Sequence, residues 1–216
     1  DNMIETGHAK HARLGVPVHS LYSETRRPTP AMLQGLDLLV VDLQDVGTRV
    51  YTYIWTLTHC LEACAAQGLP VLVLDRPNPL GGDVAEGALL DPRFASFVGR
   101  AAIPMRHGLT LGELARVCNE TMGIGADLHV LPMQGWRRAD TWRATGRAWV
   151  PPSPNLPRED GATVYPGQVL LEGTQLSEGR GTTTPFEQFG APFIDPWALR
   201  ERIAAADAPG LALRPV

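Results

Sequence analysis

The sequence is short of the features that announce most functional classes. Its three cysteines cannot make a disulfide framework. Cys60 and Cys64 stand in one predicted helix and Cys118 in another, with no Cys-x-x-Cys pair or Cys/His cluster beside them. They read as small buried hydrophobes rather than as metal or redox ligands. Positive charge is in deficit: 19 Lys+Arg against 23 Asp+Glu leave a net charge of -4, so nothing draws the chain to nucleic acid. Long apolar runs are also missing. The stretch Leu36 to Val41 is broken by Asp37 and falls far short of the roughly 18 residues of a membrane span, so none is expected. Asp1-Asn-Met-Ile-Glu5 has neither a basic start nor an apolar core, and no signal peptide is expected within this chain.

Cofactor motifs are missing too. No Gly-x-Gly-x-x-Gly follows a predicted strand, and the glycine-rich segment Ser177 to Thr183 lacks the Gly-Lys-Ser/Thr ending of a phosphate loop. His8, His11, His19, His59 and His129 show no ligand spacing, so neither a catalytic metal nor any other cofactor is expected. His107, just ahead of a predicted helix, is left as either an acid/base or a capping group.

What is present is the material of a folded core: 44% hydrophobic and 19% charged residues in a 216-residue chain. A chain of that size buries roughly 70% of its unfolded surface. Val16 to Tyr22 is predicted as a strand and Ala31 to Gly35 as one or two helical turns. Leu38 to Leu43 is a continuous apolar run of the kind buried on both faces of a parallel sheet. Tyr53 to Gln67 carries apolar residues three and four apart and is stopped by Gly68, a helix. Leu69 to Asp75 is a second buried strand, and the prolines and glycines of Arg76 to Gly82 make an irregular loop after it. Leu109 to Asn119 is a helix with Thr110 as N-cap and Glu113 completing a capping box, and Asp127 to Met133 a further strand.

Strand alternating with helix is the pattern of an α/β fold, a Rossmann-like parallel sheet flanked by helices. It is assigned to residues 1–135, incomplete at the N-terminus. Residues 136–190 hold Trp136, Trp142 and Trp149 with little periodicity, and are read as a loop-rich active-site segment. Residues 191–216 are read as the start of a second, α+β domain: Asp195-Pro196 opens a helix to Ala206, Gly210 ends it, and Leu211 to Val216 looks like a strand.

In open α/β sheets ligands bind beyond the carboxyl ends of the strands. Two polar sets fall there. Asp42, Gln44 and Asp45 with Arg49, Tyr51 and Tyr53 follow one strand; Asp75, Arg76 and Asn78, then Glu86, follow the next. The plain alternatives are a helix N-cap at Asp45 and an internal Asp-Arg ion pair. A third set, Glu172, Glu178 and Arg180, lies on glycine-rich backbone suited to a sugar or an anion, or to a mere surface turn. Aromatic rings for sugar C–H faces, amides and carboxylates for hydroxyls, and two acid groups for glycosidic cleavage together point weakly to carbohydrate chemistry.

At these residues a family resemblance enters. Leu38-Leu-Val-Val-Asp-Leu-Gln-Asp-Val-Gly-Thr-Arg-Val-Tyr-Thr-Tyr53, Val73-Leu-Asp-Arg-Pro-Asn-Pro79, Val150-Pro-Pro-Ser-Pro-Asn155, Tyr165-Pro-Gly167, Glu172-Gly-Thr174 and Ser177-Glu-Gly-Arg-Gly-Thr182 resemble the NamZ-type exo-β-N-acetylmuramidases, long filed as a domain of unknown function. The resemblance implies a glycoside hydrolase releasing N-acetylmuramic acid from the non-reducing end of peptidoglycan fragments in cell-wall turnover. It implies a periplasmic or extracellular setting. By matching motifs, Glu178, Glu172 and Asp42 are the expected catalytic groups, and Gln44, Asp45, Arg49, Tyr51, Asp75, Arg76, Asn78, Asn155 and Arg180 the substrate-binding ones. Asp42 and Asp75 are expected to orient the sugar, and Arg49 or Arg180 to pair with the lactyl carboxylate. Members also carry a Pro-Glu-His-Gly segment upstream of Gly15-Val-Pro-Val-His-Ser-Leu-Tyr22, whose Glu is the favoured catalytic acid, and they continue well past Val216; the chain is therefore expected to be an internal fragment, inactive alone. A non-catalytic muropeptide-binding module and a nucleotide-sugar transferase are the competing readings. The oligomeric state has no signature.

Overall fold

The structure is a computed structural model that describes residues 7–203, 210 and 212–216. The chain divides into two compact units, Asp1–Ala148 and Trp149–Val216.

In the first unit, β1 (Ala9–Lys10) and β2 (Pro17–Val18) form a small antiparallel pair. This corrects the strand expected from Val16 to Tyr22. Only two of its residues pair, outside the main sheet, and the chain then turns as Ser20 N–H donates to His8 Nδ1 and Tyr22 N–H to Ser20 Oγ. A single helical turn, α1 (Pro30–Leu33), follows with Thr29 as its cap.

The main sheet has three parallel strands in the order β3 (Leu39–Val41), β4 (Val71–Leu74), β5 (Leu128–Leu131). Helix α2 (Tyr53–Gln67) connects the first two and α3 (Leu111–Thr121) precedes the third. Both helices follow their local signals. Gly68 ends α2 at φ 64°, its N–H bonded to the Ala65 and Cys64 carbonyls. Thr110 and Glu113 close the reciprocal capping box of α3.

Strand order decides where the core sits. Both crossovers step the same way across the sheet, so connections of one hand lay α2 and α3 on the same face. Val41, Val71 and Val73 pack there with Leu57, Leu61 and Cys64 of α2 and Leu111 and Ala115 of α3. The opposite face carries Val40, 49% exposed, and Leu131, 57% exposed. The expectation that Leu38 to Leu43 is buried on both faces is corrected accordingly. All three cysteines are free and buried.

In the second unit, α4 (Glu159–Gln168) runs into a 3-10 turn at Val169–Gly173, and α5 (Pro196–Arg202) starts from Asp195, whose carboxylate accepts the Trp197 and Ala198 N–H groups. Leu156, Ala162, Tyr165, Val169 and Phe186 are its buried apolar residues. A ten-residue helix within the stretch read as loop-rich is a correction. The helix holds Gly161, Pro166 and Gly167, residues that weaken any helical signal. The helix expected to reach Ala206 ends at Arg202; residues 204–206 lie outside the described ones, as does Leu211, and residues 212–216 form no strand.

Candidate active site

The carboxyl ends of β3 and β4 are laced together before they present anything to solvent. After β3 the chain turns at Gly47, φ 78°, where an added Cβ would stand 2.4 Å from Asn78 Oδ1. Asp45 Oδ2 accepts the Gly47 N–H at 2.7 Å. Gln44 donates to the Asp45 and Pro77 carbonyls at 2.7 and 2.9 Å, tying the β3 loop to the β4 loop. Asn78, 1% exposed, accepts from Leu80 N–H and donates to the Leu109 carbonyl, both at 2.9 Å, which ties that loop to the entry of α3. Asp45 is therefore a turn-former and not the N-cap of α2, a place taken by Thr52.

His107 sits against this knot, buried, with Nε2 at 3.2 Å from Asp45 Oδ2. Its Nδ1 accepts the Leu109 N–H at 3.1 Å, which leaves the ring proton on Nε2, facing the carboxylate. The alignment is too poor for a hydrogen bond, so the contact is electrostatic. His107 thus holds the turn ahead of α3, whose cap is Thr110.

Arg49 is also buried. Its Nη1 donates to the Ala88 and Ile103 carbonyls at 2.7 and 2.6 Å, and burial pulls its guanidinium below the usual arginine range. Tyr51 and Tyr53 meet edge to face at 4.9 Å. Burial first, with the nearby Asp45 carboxylate adding to it, pushes the Tyr51 phenol upward, so it stays protonated. Asp75 faces α3: Thr110 Oγ1 donates to it at 2.9 Å and Gly112 N–H at 2.8 Å. It anchors the positive end of that helix. An added Cβ on Gly112 would lie 2.8 Å from the Asp75 carboxyl carbon.

Two of the sequence-derived residues reach the surface together. Arg76 Nε donates to Asp42 Oδ1 at 2.6 Å, with both side chains nearly half exposed, 42% and 48%. The hydrogen bond from Arg76 holds Asp42 below the usual carboxylate range. The internal Asp-Arg alternative thus takes an unexpected form, with Arg76 pairing across the strands to Asp42. Glu86 leaves this edge and pairs with Arg106 at 2.7 Å. A hollow of about 750 Å3 lined by Leu33, Asp37 and Pro70 lies at the amino ends of β3 and β4, away from all these groups.

In the second unit, Ser177 to Gly190 is a closed loop, pinned by paired Ser177 and Gly190 backbones. Arg180 bridges both glutamates nominated from the sequence. Its Nε lies 2.8 Å from a Glu178 carboxylate oxygen, and its Nη2 donates to Glu172. Glu178 is buried and Glu172 exposed. The guanidinium carbon lies 5.1 Å from the ring centroid of Phe186, and that ring meets Tyr165 edge to face at 4.7 Å. Phe186 holds φ 64°, the one positive value at a non-glycine among the described residues. Asn155 lies in the turn from Ser153 to Leu156, its N–H 3.4 Å from Ser153 Oγ.

Residues 1–160 match the family described as exo-β-N-acetylmuramidase NamZ, N-terminal, and residues 163–216 match its C-terminal counterpart. The chain belongs to the NamZ family. Among relatives of this NamZ chain, the peptidoglycan β-N-acetylmuramidase NamZ of Bacillus subtilis (strain 168) is 49% identical over 97% of the chain and 51% of that protein. Two solved DUF1343 family proteins of Bacteroides fragilis NCTC 9343 are each 40% identical. One has a TM-score of 0.88 over 94% of this chain and 53% of its own, the other 0.77 over 85% and 50%. The chain spans about half the length of the relatives it matches.

For this NamZ chain, the structure sorts the nominated residues by burial. Asp42 and Arg76 are presented at the strand ends, whereas Gln44, Asp45, Arg49, Asn78 and Asp75 are engaged in holding loops and a helix terminus. Glu172, Glu178 and Arg180 form one cluster in the second unit. The sequence reading missed Phe186, whose positive φ has no local signature, and it missed the ring pair Tyr22 and Phe97, brought together at 5.8 Å only by the fold.

Proposed function

We propose that the polypeptide carrying this chain is a glycoside hydrolase that releases β-linked N-acetylmuramic acid from the non-reducing end of peptidoglycan fragments, outside the cytoplasmic membrane where that polymer lies. One observation carries the reading: 49% identity, over nearly the whole chain, to a protein named a peptidoglycan β-N-acetylmuramidase.

The chemistry of the two polar clusters supports it. Cleavage of a glycosidic bond needs one group to protonate the leaving oxygen and a second to activate water or attack the anomeric carbon; the substrate's own acetamido oxygen is a third option. Glu178 and Glu172, ion-paired with the Arg180 guanidinium, suit the second role. Asp42, accessible and ionised beside Arg76, suits hydrogen bonds to sugar hydroxyls. In this reading Gln44, Asp45, Arg49, Tyr51, Asp75 and Asn78 act mainly by holding the strand-end loops in place, and Asn155 supplies an amide.

The test is release of nitrophenol from a 4-nitrophenyl β-N-acetylmuramide by the full-length polypeptide. Glu178→Gln or Glu172→Gln is expected to lower kcat by at least about a hundredfold. If both variants keep the wild-type kcat, the glutamate assignment is overturned. If the wild type binds muropeptides but releases no sugar, the protein is a binding module.

A further inference from the structure

Arg26 is held by the faces of two rings. Its guanidinium carbon lies 4.9 Å from the Phe97 centroid and 5.3 Å from that of Tyr22. Such contacts use the flat face of the group and leave its in-plane N–H donors for other partners. Among the described residues no oxygen accepts from them, and Nη1 is shut away from solvent without a hydrogen bond. Unfilled charged donors out of water are destabilising unless something else fills them. Among the described residues no carboxylate lies within ion-pair distance of Arg26. Glu62 takes Arg100 at 2.6 Å, with Arg27 at 3.7 Å and His59 at 3.5 Å from its other oxygen.

The shelf is continuous with the candidate site of its own unit. The Tyr22 hydroxyl lies 2.9 Å from Thr52 Oγ1 and from Thr56 Oγ1, at the start of α2. The other arginines of the candidate residues are already engaged: Arg49, buried, gives Nη1 to two backbone carbonyls although its Nε has no partner, Arg76 gives Nε to Asp42, and Arg180 is ion-paired with two glutamates.

We propose that Arg26, braced on Tyr22 and Phe97, receives a carboxylate carried by the sugar, the lactyl ether group that distinguishes N-acetylmuramic acid from N-acetylglucosamine. A planar carboxylate accepts two parallel N–H bonds from a guanidinium edge, here that of Nε and Nη2, which unlike Nη1 are not shut away from solvent, and the ring faces beside it suit the lactyl methyl and sugar C–H groups. This proposal gives Arg26 the work that the resemblance led us to expect of Arg49 or Arg180. The proposal rests on the muramidase reading for the identity of its ligand, and its test separates the two.

Calorimetric titration of the full-length protein with free N-acetylmuramic acid and with N-acetylglucosamine reads the site without catalysis. The wild type is expected to prefer the muramic sugar roughly 10- to 100-fold, as a charge-assisted bidentate contact supplies. Arg26→Met, which keeps an apolar stem on the rings, is expected to bind both sugars alike, and Arg26→Lys to fall between. Thermal unfolding of each variant checks that it is folded, and Arg26→Lys carries the test if Arg26→Met is not. A wild type without preference, or a folded Arg26 variant that retains the full preference, overturns the site. An Arg26-dependent preference in a protein that releases no sugar leaves the site standing and removes the hydrolase; sugar release with an Arg26-independent KM does the reverse.

Discussion

Phe186 supports Arg180 from below, with its ring centroid 5.1 Å from the guanidinium carbon, and does so from a left-handed backbone conformation at φ 64°. For a residue with a Cβ that conformation costs about 1–2 kcal/mol. The ring is 1% exposed, and removing a buried phenylalanine side chain typically costs roughly 3–5 kcal/mol. The two effects separate by substitution. Phe186→Ala loses the ring and keeps the strain; Phe186→Gly loses the ring and relieves it. Urea denaturation is expected to find the glycine variant as stable as the alanine variant or better by up to about 1 kcal/mol, the reverse of the usual order. An alanine variant clearly the more stable of the two would show that the backbone there is not strained.

Gly47 is the tightest point of the strand-end knot. Any side chain there meets two obstacles: φ 78°, and a Cβ position 2.4 Å from Asn78 Oδ1 and 2.9 Å from Leu80 Cγ. Asn78 cannot retreat without breaking its bonds to Leu80 and Leu109. Gly47→Ala is expected to destabilise the protein by more than about 2 kcal/mol. Gly68→Ala, at φ 64° with open space around the added Cβ, is expected to cost only about 1 kcal/mol. Equal losses in a chemical denaturation series would mean that the Asn78 contact yields.

These examples mark what local sequence can carry. The helix from Tyr53 to Gln67, its stop at Gly68 and the capping box of Thr110 and Glu113 are set within a few residues, and the structure repeats them. The exposure of Val40 depends on strand order, which no short window contains. The site divides the same way. Its polar residues were visible as clusters after strands, but which of them face inward was not. Asp45 is turned toward His107 and Arg49 toward the Ala88 and Ile103 carbonyls, partners distant in the chain. Arg26 and Phe97 carry no sequence link at all.

The three thiols are expected to be silent. Burial pushes Cys60 up to about 12 and Cys118 up to about 11, and raises Cys64 as well. Reaction needs the thiolate. With folded values well above the ordinary 8.5 or so, almost none forms at pH 8. A colorimetric disulfide reagent at pH 8 is expected to leave the native protein unlabelled and to titrate three thiols in concentrated urea. Fast labelling of the native protein would contradict the packing of α2 against the sheet.

The Asp42 and Arg76 pair separates function from stability. Both side chains are nearly half in solvent, so screening leaves the ion pair worth no more than about 1 kcal/mol. Its pH dependence has a definite sign. The hydrogen bond from Arg76 lowers the folded-state value of Asp42, so this small stabilisation is present above the unfolded carboxylate value near 3.9 and is lost as pH falls through the lower folded value. Asp42→Asn is therefore expected to lose under about 1 kcal/mol at pH 7 and to converge with the wild type in acid below that window. If Asp42 binds the sugar as proposed, the same variant lowers kcat/KM on the muramide by about tenfold or more while its melting temperature barely moves. A large stability loss with activity per folded molecule intact would assign Asp42 to the scaffold instead.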